Sequence, residues 1–226
     1  MSKEKATATG IITLLIVSCL IMYHVENSSN GYLIKSLWKI GAFALIPLIY
    51  SYFDKNLSIK DFFHIGSRKQ IVVSLALGAA VYAFVFCSYL AFAGFIDLDN
   101  IAEVLSENVN INKDNFIFVA LYISFINSLL EEFFFRGFGF LSLKKVLRPV
   151  LAYIISALAF SLYHVAILAD WFSPWLFILT ISGLFISGLF FNWLNKKSNN
   201  IYNSWLVHMF ANFSINTVGF IMFGII

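Results

Sequence analysis

Charge is what this chain has least of. Asp, Glu, Lys and Arg make up 12% of its 226 residues, about half of the ~25% usual in soluble domains. Hydrophobic residues make up 60%, with 26 phenylalanines among them. A soluble fold of this size cannot hide that much apolar surface, because surface grows almost as fast as volume. A bilayer is therefore the expected solvent. The net charge of +3 comes with no basic stripe, which excludes nucleic acid as a partner. Cysteine is scarce too. Cys19 and Cys87 each sit inside an apolar run, where a thiol behaves as a small hydrophobe and a disulfide framework is excluded. There is no internal repeat, no low-complexity tract and no soluble domain.

What the chain does have is long apolar segments. A spanning helix needs roughly 20 mostly apolar residues. Seven segments qualify: about Ala8–His24, Leu37–Phe53, Ile71–Phe95, Phe116 to Leu143, Pro149–Val165, Trp175–Leu194 and Tyr202–Ile226. The first resembles a signal peptide, with Lys3 and Lys5 ahead of it and Ile16-Val17-Ser18-Cys19 as a loose lipoprotein box. Its apolar run continues past Cys19 through Leu20, Ile21 and Met22, so it reads as a retained span. The second is short, with Lys39 near its start. The fourth is long and interrupted by charge and by Gly137 and Gly139. The last is one long helix or two short ones.

The basic residues give an orientation. With the N-terminus in the cytoplasm, cytoplasmic segments hold Lys3, Lys5, Lys55, Lys60, Arg68, Lys69, Arg136, Lys144, Lys145, Arg148, Lys196 and Lys197; Lys35, Lys39 and Lys113 fall outside. The Ile96–Asp114 loop is acidic and lies outside. This alternation is the positive-inside pattern of seven spans. The Asp54–Lys69 segment is either an amphipathic helix on the cytoplasmic surface or a plain basic loop. The fold class is thus all-α, a polytopic transmembrane helical bundle of about seven spans forming a single integral membrane domain over residues 1–226.

Ionisable groups inside a span are costly and tend to mark function. Three groups stand out. The first is Glu131-Glu132-Phe133-Phe134-Phe135-Arg136. On an α-helix Glu132 and Arg136 share a face, acid before base, the favourable order for an ion pair. Glu131 then points about 100° away and is the free carboxylate. Neighbouring acids repel and burial disfavours their charge, which suits a base. The second group ends in His164, four after Phe160. The third pairs His208 with Asn212, four apart on one face.

Straight helices bring the three together. Glu132 and His164 both lie roughly 20–25 Å from a hairpin turn near Lys144–Pro149, and His208 roughly 17 Å beyond Lys197, at 1.5 Å per residue. Singly, a Glu–Arg pair, a histidine or an asparagine in a span is as readily helix-packing glue. Three such groups at matched depth on three helices point to a site.

In order, the groups read EExxxR, FxxxH and HxxxN. This resembles the CAAX-protease and bacteriocin-processing (CPBP) family, also called Abi proteins, which includes the Rce1-type CAAX prenyl endopeptidases. All three motifs are intact, and the resemblance covers roughly residues 115–215 as the catalytic core. It implies an intramembrane peptidase acting on a membrane-associated peptide or protein. In that resemblance Glu131 activates water, His164 and His208 help bind or polarise the water and the scissile carbonyl, Asn212 contributes to the oxyanion site, and Glu132 and Arg136 hold the site in shape. Hydrolysis needs such a base and such donors, in a water-filled cavity at membrane depth. Zinc on Glu131, His164 and His208 is an alternative, since two His and a carboxylate leave one position open for water. There is no His-Glu-x-x-His helix, and the reading leans to no metal and no cofactor.

Two other classes compete. One is a non-catalytic membrane scaffold or bacteriocin self-immunity protein that keeps the motifs. The other is a proton-coupled carrier, against which stands the lack of a visible inverted repeat. The abundance of Asn, Lys, Ile and Phe suggests a bacterial genome and plasma membrane, where prenylated substrates are not expected. There the resemblance points to maturation of secreted peptides or to self-immunity.

Overall fold

The computed structural model describes residues 3–226. Of it, 83% is helical, and no strand is present among the described residues. Seven helices are long and apolar enough to cross a membrane: α1 (Lys3–Glu26), α2 (Tyr32–Phe53), α3 (Arg68–Phe95), α5 (Phe116–Val146), α6 (Pro149–Leu168), α7 (Pro174–Ser198) and α8 (Tyr202–Met222). Between α3 and α5 lies α4 (Leu98–Val109). The all-α polytopic bundle expected from the sequence is what forms, and the last span is one helix.

The bundle's exterior is apolar. Phe84, Phe118, Val150 and Ile186 are each about two-thirds exposed or more, a surface stable only against lipid tails. Its interior is organised around α5. Every residue from 130 to 143 is buried, so this stretch is enclosed on all sides rather than along one stripe. Around it, α1 buries a stripe of Thr7, Ile11, Leu15, Ser18, Met22 and Val25, the three-and-four spacing of a packed helix. Phe43 of α2 stacks on Phe134 with centroids 4.2 Å apart. α6 meets α7 where Gly188 faces Ala157; a Cβ on Gly188 would lie 3.0 Å from the Ala157 Cα. α3 stands to the side and packs along α8, with Gly78 under the Phe210 ring.

Three stretches are π-helical: Gly41–Leu45 in α2, and Tyr122–Asn127 and Glu132–Leu141 in α5. A π-turn shifts backbone bonding from i+4 to i+5 and often marks a functional segment. In lipid, any carbonyl this displaces needs a partner within the protein. Side chains supply them. Ser18 donates to Ala42 O, Asn216 to Ala120 O, Asn212 to Ile123 O, Trp205 to Phe125 O and Ser156 to Phe135 O. Four of these five bonds reach α5, and all five donors lie on other helices, so its irregular backbone is stitched to its neighbours.

Two loops differ from expectation or resolve it. Of the Asp54–Lys69 segment, the part ahead of α3 holds only a single 3-10 turn, Ile59–Phe62, with Phe62 buried. Phe62 packs against Gly137 of α5, and its carbonyl accepts the Ile201 amide at 3.1 Å. The segment is neither a surface helix nor a free loop but a plug under one end of the bundle. The acidic Ile96–Asp114 loop contains α4, capped by the Asp97 side chain on the Asn100 amide at 3.0 Å and ended by left-handed Asn110, both standard helix stops.

Replacing Gly188 with Leu should cost about 1–3 kcal/mol, as overpacking does, read as a lower thermal midpoint in detergent. Gly183→Leu, where an added Cβ meets nothing within 4 Å, should leave that midpoint unchanged or raise it. Asn216→Ala should cost a further about 1–3 kcal/mol, because it strands a buried carbonyl.

Candidate active site

α5 places two carboxylates side by side at the centre of the bundle. Glu131 closes a short α-helical turn and Glu132 opens the π-helical run. Glu131 is 2% exposed, and Glu132 and Arg136 are 0% exposed.

Glu131 is not the free carboxylate that regular α-helical spacing predicts. Its Oε1 accepts from Lys39 Nζ of α2 at 2.5 Å and from Asn127 Nδ2 at 3.0 Å. Lys39 also donates to Asn127 Oδ1. The ammonium lies 4.7 Å from the centre of the Tyr163 ring and 5.6 Å from that of Phe43, so aromatic faces hold its remaining side.

Glu132 is bound by α8. His208 Nδ1 donates to its Oε1 at 2.9 Å, and Ser204 Oγ donates to its Oε2. Ser204 Oγ in turn accepts from Asn195 Nδ2 at 2.5 Å. Arg136 forms the expected i,i+4 ion pair, with Nε 3.5 Å from Glu132 Oε2. It makes no hydrogen bond within the protein; instead its guanidinium carbon lies 3.9 Å from the Phe160 ring centre and 5.0 Å from that of Phe191. Glu132 is thus shared between an arginine, a serine and a histidine.

His208 reaches both acids. Its Nε2 stands 3.7 Å from Glu131 Oε2 while Nδ1 bonds Glu132. One imidazole of α8 thus contacts both acids, although neighbouring residues of a helix are splayed by about 100°.

His164 ends the first helical run of α6, where the chain turns before Val165. Its Nδ1 lies 2.7 Å from Phe160 O. A carbonyl only accepts, so Nδ1 carries the proton and Nε2 is free of it in the neutral ring. The Phe160 ring stands edge-on to both imidazoles, with centroids 4.8 Å from His164 and 6.0 Å from His208. His164 is close enough to Glu131 for direct electrostatic interaction. Asn212, one turn beyond His208, gives one N–H to Ile123 O at 3.1 Å and keeps its second.

Charge, rather than a lack of lone pairs, argues against zinc. Glu131 Oε1 is covered by an ammonium and an amide, His208 Nδ1 by Glu132 and His164 Nδ1 by a carbonyl, so an ion would have only Glu131 Oε2 and the two histidine Nε2 atoms. A lysine cation 2.5 Å from the carboxylate opposes a divalent ion at the same oxygen. Among the described residues no three His, Cys, Asp or Glu side chains gather as a metal site.

Sequence reasoning named Glu131, Glu132, Arg136, His164, His208 and Asn212, and the helices bring these to one region. It missed Lys39, Asn127, Ser204 and Asn195. Two of them carried a readable signal: Asn127 precedes Glu131, and Ser204 precedes His208, by four residues, the same-face spacing.

Comparison with known proteins agrees with the motifs. The family model described as type II CAAX prenyl endopeptidase Rce1-like matches residues 113–214, a stretch that takes in α5, α6, α7 and most of α8. No curated protein and no solved structure matches the chain. The matched family is a family of proteases, and these helices cross a membrane. Over residues 113–214 the chain is similar to the Rce1-like family, the group whose three motifs its sequence carries.

Proposed function

We propose that the protein is an intramembrane endopeptidase in which Glu131 activates a water to hydrolyse a peptide bond of a membrane-associated peptide or protein. One observation carries this reading. With His208 neutral and its Nδ1 proton given to Glu132, Nε2 presents a lone pair to Glu131 Oε2 across 3.7 Å. Two acceptors facing each other at that distance suit a donor with two hydrogens, and a water within about 3 Å of each would bond to both.

The steps follow from the contacts. Glu131 Oε2 takes a proton as the water oxygen attacks the scissile carbonyl carbon. His208, held in one tautomer by Glu132, orients the water. The second N–H of Asn212 meets the charge that develops on the carbonyl oxygen, and His164, its Nδ1 proton held by Phe160 O, turns an Nε2 lone pair toward the water. Glu131 then returns its proton to the amide nitrogen as the C–N bond breaks, giving a carboxylic acid and an amine. Ser204 and Arg136 keep Glu132 in place throughout.

For orientation we propose the N-terminus in the cytoplasm of a bacterial plasma membrane, from the basic residues of the loops. A reporter enzyme active only in the cytoplasm, fused after Lys5, should be active, and one fused after Gly94 should not.

The catalytic reading is tested with purified wild type and Glu131→Gln in detergent, against a panel of short membrane-associated peptides. Wild type should cut at least one. Glu131→Gln should fall about 10²–10⁴-fold in kcat, the usual worth of a general base. A chelator should change neither. Equal cutting by both proteins would refute the role of Glu131, and chelator-sensitive cutting would refute the metal-free mechanism.

A further inference from the structure

Lys39 lies outside the family-matched region, on α2, in the buried part of a membrane span. It is 6% exposed. A lysine there can extend along its stem toward the membrane surface, and Lys35, one turn earlier, shows that choice: its Nζ bonds Glu26 O at 2.6 Å, where α1 ends. Lys39 turns inward to Glu131 instead.

We propose that Lys39 is a positioning residue for the reaction, one that pins Glu131 through Oε1 so that Oε2 is the oxygen offered to water. This rests on the reading of Glu131 as the base. Three features converge on it. The two Oε1 donors, Lys39 and Asn127, are themselves bonded to each other, which fixes the carboxylate from one side. Oε2 receives neither donor and faces His208. The ammonium is confined by the Tyr163 and Phe43 rings, and Phe43 is locked by its stack on Phe134 of α5. Lys39 therefore has little freedom to leave Oε1, and it supplies the counter-charge a buried carboxylate needs.

The experiment compares wild type, Lys39→Met, Lys39→Arg, Lys35→Met, Glu131→Gln and the double variant Lys39→Met with Glu131→Gln. Each is purified in detergent, assayed on the same peptide panel with kcat and KM separated, and melted. Lys39→Met should lose about 100-fold in kcat, the scale of a misplaced catalytic group, with KM unchanged. Lys39→Arg should recover a large part of that loss. Lys35→Met, which removes an equally buried lysine away from the site, should keep the wild-type kcat. The double variant should melt above Lys39→Met, because removing both charges relieves the buried unpaired acid.

Should Glu131→Gln be inactive while Lys39→Met matches Lys35→Met in kcat, the positioning role is wrong and the base stands. Should Glu131→Gln cut as wild type does, the base reading itself falls and takes this inference with it. Lys39→Arg no better than Lys39→Met, with kcat and melting temperature falling together, would reduce Lys39 to structural support. Strictly additive melting shifts would show that the pair is not coupled, and would also overturn the proposal.

Discussion

Two carboxylates next to each other at the centre of a bilayer are the constraint from which the rest of this structure follows. A buried charge is costly unless it is paired, and two like charges raise the demand. The protein meets it with one cation for each acid, Lys39 for Glu131 and Arg136 for Glu132. No single helix can deliver all of these groups. Glu131 draws α2 inward, and Glu132 draws α8 inward through His208 and Ser204. The central place of α5 follows, because it carries both acids and its neighbours carry their partners.

The backbone answers the same constraint. α5 is irregular over two stretches, and an irregular helix leaves carbonyls that lipid cannot satisfy. Asn212, Asn216, Trp205 and Ser156 fill that role from α8 and α6. Side chains that look like scattered polar residues in apolar spans are therefore the fasteners of the distorted α5. From α8 a single imidazole reaches both acids.

Much of this was legible in the sequence. Apolar runs gave the seven spans, because length and hydropathy are set by bilayer thickness alone. The four-residue spacings gave Glu132 with Arg136, and they placed His208 and Asn212 on one face. Three things were not legible. The apolar run from Leu37 puts Lys39 near the start of a short span; α2 begins at Tyr32, which carries Lys39 further in. Glu131 reads as free from α5 alone, because the lysine that binds it comes from α2. α4 was read as loop because its acidic face hid the spacing of Ile101, Val104 and Leu105. In each case the deciding information lay in another helix or in backbone register, which a local pattern does not carry.

The pairing of Lys39 with Glu131 also bears on how the protein is made. A lysine inside a span is costly, up to about 2.5–3.5 kcal/mol at the helix centre on insertion scales, so α2 enters the membrane poorly suited to it. Its partner lies 92 residues later in the chain. At translation speeds of about 5–20 residues per second, α2 waits about 5–20 s before Glu131 is even synthesised. During that interval the newborn N-terminal half holds an uncompensated charge in lipid, and its stay in the membrane depends on the insertion machinery or on Lys39 reaching the surface until α5 arrives.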